Sequence, residues 1–185
     1  MGAQRSQKGS IAMLESCIIR SAIATDEPTL WTMLSIAAHE TSLDLVKENS
    51  ALKRYVEGWG RTGDIGLIAE DTEHQVIGAA WLRLWSADDA GYGYLTETIP
   101  ELAIAVLPTY QNHGVGSRLL LQLLEIAQTK FPAVSLSARA DNPAVRLYQR
   151  EGFVLVAGTE VVNRTGSTSF TMVRKFEIFN IPDMT

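Results

Sequence analysis

Cysteine is nearly absent from this sequence of 185 residues: Cys17 stands alone, so no internal disulfide can form. Histidine occurs three times, at His39, His74 and His113, and no Cys/His grouping approaches zinc-ligand spacing. A disulfide scaffold and a structural zinc module are excluded, and no metal is expected. Long apolar runs are missing as well. The best candidates, around Ala103 to Leu107 and Leu119 to Leu124, fall far short of the roughly 18 to 20 residues that cross a bilayer. Nor is there a long Lys/Arg run: 16 basic residues face 21 acidic ones, for a formal charge of −5. The basic footprint needed for nucleic acid or anionic membrane is lacking, so neither is expected as a partner. At the N-terminus the apolar stretch is broken by Glu15 and Ser16, which does not read as a signal peptide. Residues 1–12 read as a polar tail, Met13 is a candidate start, and a cytoplasmic location is expected.

What is present is an ordinary globular composition, 46% apolar and 20% charged, at a length that suits one domain over residues 13–185. The β-branched stretch Cys17 to Ala22 predicts a strand. A helix follows, with Asp26 as its cap, Pro28 in its first turn and Leu30 and Leu34 on one face. A second helix is predicted from Ser42 to Val56, before the Gly58-Trp59-Gly60 cluster. IGLIAED and QVIGAAWLRLW, joined by a turn at Asp71 to His74, predict an antiparallel hairpin reaching Trp85. SADDAGYGYLTETIP reads as a loop, and ELAIAV as a strand covered on both faces. Then come a loop, the apolar helix SRLLLQLLEIAQTKF, the strand VSLSARA, the helix NPAVRLYQRE, and strands FVLVAGT and FTMVRKF. The order β-α-α-β-β-β-α-β-α-β-β predicts a mixed α/β domain.

The most informative stretch is Val106 to Leu121, VLPTYQNHGVGSRLLL, where a buried strand runs through a glycine-containing turn straight into a helix. Helix N-termini present unpaired N–H groups and partial positive charge, so they bind phosphate oxygens without a basic side chain. That suits an anionic ligand on an acidic protein. The turn is no Walker loop, because no Gly-Lys-Ser/Thr follows, and no dinucleotide fingerprint, because Leu119 stands where a third glycine would be needed.

Gln111-Asn112-His113-Gly114-Val115-Gly116 resembles the acyl-CoA-binding signature Gln/Arg-x-x-Gly-x-Gly/Ala of the GNAT superfamily of N-acyltransferases, in its usual context of Val106, Pro108 and Tyr110. A second segment, Asp141 to Phe153, resembles the family's Asn…Leu-Tyr…Gly-Phe motif through Asn142, Leu147, Tyr148, Gly152 and Phe153, with Glu151 where a leucine is usual. The resemblance covers about Asp64 to Phe176 and is weaker for the N-terminal helices. It implies a central, mostly antiparallel sheet flanked by helices, in which strands 101–106 and 134–139 splay to admit an acyl-CoA arm.

The resemblance also implies roles. Main-chain groups of Ile104 and Val106 would pair with the pantetheine amides, and N–H groups from Gln111 through Asn112, His113, Gly114, Val115, Gly116 and Ser117 would hold the pyrophosphate. Asn142 would reach the pantetheine arm, and Tyr148 would lie near the thioester sulfur as general acid. The implied reaction is attack by a neutral amine on the acetyl carbonyl of acetyl-CoA, through a tetrahedral intermediate. A base or water relay must first deprotonate the amine. Glu101, on the strand bordering the site, is the first candidate, and Glu97 in the preceding loop is the alternative.

Other residues carry blander expectations. The side chain of His113 is expected to face solvent, and His39 and His74 read as surface residues. Trp81 and Trp85 read as core. Trp31, Trp59, Tyr92 and Tyr94 fall in segments that cover the acceptor side in GNAT proteins, which suggests an aromatic pocket. The sequon Asn163-Arg164-Thr165 carries no meaning in a cytosolic chain. The partners implied are acetyl-CoA and an amine acceptor, with a homodimer through C-terminal edge strands as a family habit. A GNAT-fold module that binds CoA without turnover is the alternative reading.

Overall fold

In a computed structural model of the chain, residues 17–162 and 166–177 are described. The polar tail, Met13 and the sequon lie outside these residues. Two compact units divide the chain: one comprises residues up to Leu84 together with Leu102–Leu124, the other Trp85–Glu101 together with the residues from Glu125 onward.

The first unit begins with β1 (Ile18–Ser21), whose residues pair antiparallel with β2 (Ile65–Glu70). β2 pairs in turn with β3 (Val76–Arg83), the expected hairpin. Its turn is held by Asp71, whose Oδ1 accepts from the amides of Glu73 and Gln75, both at 2.9 Å. The strand stops at Arg83, so Trp85 lies beyond it.

Between β1 and β2 come three helices. α1 (Glu27–Ala37) packs on β3 through a face that includes Leu30 and Leu34, both nearly fully buried. Asp26 stands at its N-cap position, but its carboxylate does not cap the helix. It accepts instead from Arg20 at 2.8 and 2.9 Å and from the Ile23 amide at 2.8 Å. The predicted second helix is two: α2 (Leu43–Glu48) and α3 (Ser50–Lys53). Asn49 interrupts them, extended at ψ 107, because its side chain accepts from the amides of Ala51 and Leu52 and so starts a new helix.

Arg83 locks this region to β3. It is 1% exposed and makes two bonds to Asp64, at 2.7 and 3.0 Å, while its Nη1 donates to the carbonyls of Arg54 and Glu57. Trp81 is fully buried with its indole N–H on the Tyr55 carbonyl at 3.0 Å, as the core reading expects.

The unit also holds most of β4 (Glu101–Val106) and the first ten residues of α4 (Val115–Ala127). Leu119, Leu120, Leu123 and Leu124 form the buried face of this helix, at 0–2% exposure. Burial of each such side chain is worth about 1.5–3 kcal/mol, which makes α4 a fixed platform for the turn before it.

In the second unit β5 (Ala133–Arg139) pairs antiparallel along its length with β8 (Thr168–Lys175). Two short strands, β6 (Val154–Leu155) and β7 (Val161–Val162), pair with β8 as well. The predicted strand FVLVAGT is thus cut to two residues, and β7 was not anticipated. α5 (Val145–Arg150) starts three residues after Asn142, whose Oδ1 accepts from the Ala144 amide at 2.9 Å. Among the described residues the sheet has eight strands, in the order β1-β2-β3-β4-β5-β8-β6 with β7 also on β8. The parallel junction is β4 with β5, in register at Glu101 and Ser135. The fold is therefore the expected mixed one, a mostly antiparallel sheet with helices between its strands.

Candidate active site

The turn after β4 is built entirely within the first unit. Pro108 to Tyr110 form one tight helical turn, with the Tyr110 amide donating to Leu107 O at 2.8 Å and the Gln111 amide to Pro108 O at 3.3 Å. The Tyr110 hydroxyl donates to Asp71 Oδ2 at 3.0 Å. Asn112 at φ 61 and Gly114 at φ 84 take left-handed conformations on either side of His113, and α4 begins at Val115. Such a backbone turns successive N–H groups toward a common point, and the helix dipole adds partial positive charge there. Gly114 suits its position because a left-handed backbone strains most L-residues. Gly116 differs: an added Cβ would meet only Val106 Cγ2, at an ordinary 3.6 Å.

β4 presents its backbone in two directions. Leu107 N–H donates to Ile77 O on the β3 side, at 2.9 Å, whereas Pro100 O accepts from Ser135 N–H at 3.0 Å. Strand alternation then puts the main-chain groups of Ile104 and Val106 on the edge away from β3. Gln111 reaches back to this edge, its Nε2 donating to Val106 O at 3.0 Å. Ile104 and Val106 are half-buried rather than covered on both faces as expected.

His113 departs from its expectation. It is half-buried, and its Nδ1 is buried without a hydrogen-bond partner among the described residues. The exposed His39 and His74 both occupy left-handed positions, at φ 56 and φ 59, and His74 Nδ1 lies 3.5 Å from Glu70.

In the second unit Tyr148 is 6% exposed on α5, its ring edge-on to Phe153 with centroids 6.0 Å apart. Its hydroxyl makes no hydrogen bond among the described residues. Burial pushes the phenol up to about 12, so it is a proton carrier at any physiological pH. Asn142 spends its carbonyl oxygen on starting α5.

Glu101 is the most enclosed of the expected site residues, at 2% exposure. Its Oε2 accepts from the Trp85 indole at 2.9 Å and its Oε1 from the Gly93 amide at 2.8 Å. Glu97 is exposed, with its Oε1 3.4 Å from the Ala87 amide. Trp85 is core at 4% exposure, as expected, but its role as a donor to Glu101 was not foreseen. The pattern Gly91-Tyr92-Gly93 was the available signal that something large sits close to that loop. Of the aromatics expected to line a pocket, Trp31 and Trp59 are buried, with indole N–H groups on Glu27 and on Ile23 O. Tyr92 is 57% exposed and Tyr94 half-buried. No group of side chains among the described residues could hold a metal ion, and no described helix is long and apolar enough to cross a membrane.

The sequence model of the Acetyltransferase (GNAT) family matches residues 30–153. The chain belongs to the GNAT acetyltransferase family. No curated protein sequence matches it. Among solved structures it is similar to yncA of Salmonella typhimurium, determined with its cofactor acetyl-CoA, at 21% identity and a TM-score of 0.67, covering 92% of this chain and 99% of that one. It is also similar to the ribosomal-protein-alanine N-acetyltransferase of Brucella melitensis, at 23% identity and a TM-score of 0.63, over 86% and 99% of the two chains. The ribosomal-protein-S18-alanine N-acetyltransferase of Escherichia coli stands at 20% and 0.62, over 86% and 93%. At these identities the likeness is one of fold.

Proposed function

We propose that this protein is an acetyl-CoA-dependent N-acetyltransferase that transfers an acetyl group to a primary amine of a small molecule or peptide. The observation that carries the reading is the turn from Gln111 to Ser117, with its left-handed Asn112 and Gly114 and the N-terminus of α4 directly behind them. It offers a pyrophosphate several N–H donors on a protein whose net charge is −5. The Salmonella typhimurium protein of similar fold, solved with acetyl-CoA, supports the same donor here.

In this reading N–H groups from Asn112 to Ser117 hold the pyrophosphate, the Gln111 amide being engaged with Pro108 O, and the outward edge of β4 at Ile104 and Val106 pairs with the pantetheine amides as an added strand would. Asn142 retains its side-chain amide N–H groups for the same arm. The amine nitrogen attacks the acetyl carbonyl, and a main-chain N–H near Val106 stabilises the oxyanion. As the C–S bond breaks, Tyr148 gives its phenolic proton to the leaving thiolate, and the phenolate is restored by the proton that the adduct nitrogen sheds to become the neutral amide. The proton shed by the ammonium before attack leaves through water, with the exposed Glu97 as its acceptor.

The test is thiol release from acetyl-CoA across a panel of primary amines, with a no-acceptor control. Acceptor-dependent release is expected for at least one amine class. A melting shift with acetyl-CoA but no release across the panel favours a non-catalytic CoA-binding module, and no shift at millimolar acetyl-CoA overturns the proposal.

A further inference from the structure

Glu101 was expected to act on the acceptor amine, yet its surroundings are those of a structural joint. All the groups concerned belong to the second unit. Its main chain forms the parallel register with Ser135 of β5. Its carboxylate accepts the Trp85 indole N–H and the Gly93 amide, at 2.9 and 2.8 Å. The loop is moulded to this carboxylate. A Cβ on Gly91 would collide with Glu101 Oε2 and stand 2.7 Å from Trp85 Nε1, and a Cβ on Gly93 would stand 2.9 Å from Glu101 Oε1. The same Cβ on Gly93 would lie 2.7 Å from the Leu136 carbonyl carbon and 2.8 Å from the Ser137 nitrogen. The loop therefore lies on β5 at the two residues that follow the Glu101–Ser135 register.

We infer that Glu101 is a positioning residue: its buried carboxylate holds the 85–93 loop on β5 at the root of the β4–β5 junction and takes no proton from the acceptor. Two donors on a carboxylate at 2% exposure make strong, charge-assisted hydrogen bonds, and both glycines are explained by the close approach they permit. Tyr92, 57% exposed, stands between those glycines, so the clamp sets where its main chain lies. The kinetic part of this inference rests on the acetyl-transfer reading; the structural part does not.

The test compares Glu101→Gln with Gly91→Ala. Glutamine keeps the shape but has one acceptor oxygen; whichever donor it keeps, the other faces an amide NH2, and losing either bond frees the loop that carries the Gly93 amide. Alanine at 91 leaves the carboxylate chemically intact and displaces the loop. Hydrogen exchange at the Gly93 amide should accelerate at least tenfold in both variants. With an amine found active in the panel assay, kcat/KM should fall by about tenfold in both, with the rising limb of the pH–rate profile retained. Unchanged Gly93 exchange in Glu101→Gln overturns the clamp. So does a loss of the rising limb in Glu101→Gln with normal kinetics in Gly91→Ala, which is the signature of a base. The acetyl-CoA melting shift of the unsubstituted protein is read separately. If it is absent the proposed function fails, and Gly93 exchange still decides the clamp.

Discussion

The hydroxyl of Tyr110 donates to Asp71 Oδ2 at 3.0 Å, so the turn that follows β4 is tied to the turn between β2 and β3. Asp71 is well suited to this. The Gln75 amide, followed by the Glu73 amide and the Tyr110 hydroxyl, holds its carboxyl below the usual carboxylate range. Tyr110→Phe removes one end of the tie and leaves the fold intact. Acetyl-CoA should bind about threefold more weakly, because a less fixed turn loses more freedom on binding. The sign of the pH dependence follows from the lowered folded-state value. The contribution of Asp71 is complete above its unfolded pKa and is lost as pH falls through the folded one. Calorimetric titration should therefore show the variant and the parent converging in acid, and equal affinities at neutral pH would show the tie to be irrelevant.

Gly114 and Gly116 should respond oppositely to alanine. At Gly114, φ 84 makes alanine adopt a left-handed backbone at a cost of about 1–2 kcal/mol, and the turn that aims the N–H groups is distorted. At Gly116, in the first turn of α4, a Cβ finds an ordinary contact at 3.6 Å, and helix propensity favours alanine by about 0.5–1 kcal/mol. Thermal melts should show Gly114→Ala less stable and Gly116→Ala more stable than the parent. The acetyl-CoA-induced shift should shrink in Gly114→Ala and persist in Gly116→Ala. A full shift in Gly114→Ala would mean that the left-handed turn is not the cradle.

Much of the fold was readable because its signals are local. The β2–β3 hairpin runs from Ile65 to Arg83, and the glycine turn leads directly into the apolar face of α4, so each signal is read within one short stretch. The misreadings came from side chains acting on backbone. Asn49 splits one predicted helix by capping a second, and Asp26 leaves its helix uncapped because Arg20 and the Ile23 amide claim its carboxylate. The role of Glu101 was illegible for another reason. Its indole donor is sixteen residues away, and strand alternation says which side a residue faces but not what fills the space there. Tyr148 could be named from its motif, whereas its burial against Phe153 depends on how α5 and the following residues pack.

Arg83 and Asp64, with side chains 1% and 4% exposed, form a buried pair that also satisfies the carbonyls of Arg54 and Glu57. Arg83→Met keeps the aliphatic bulk but leaves Asp64 buried without its cation and two carbonyls without their donor. The expected loss is about 3–5 kcal/mol, read from urea unfolding. Adding Asp64→Asn to that variant should recover part of it, since the stranded charge is then gone. A double variant no more stable than Arg83→Met would place the cost in the carbonyls, not in the charge.

Tyr148 allows stability and chemistry to be separated. Its ring is buried and its hydroxyl makes no hydrogen bond among the described residues, so Tyr148→Phe should leave neutral-pH stability nearly unchanged. The phenol is pushed up to about 12 by burial alone. A group whose folded pKa exceeds its unfolded value of about 10 contributes its full stability below that value and loses it as pH rises toward the folded one. Unfolding free energy should thus be flat in this term through neutral pH and decline above about pH 10, a decline that Tyr148→Phe abolishes. If Tyr148 is the acid that protonates the leaving thiolate, the same substitution should lower kcat by about 10²- to 10⁴-fold with an unchanged dissociation constant for acetyl-CoA. A rate equal to the parent's would remove Tyr148 from the chemistry and leave it as a packing partner of Phe153.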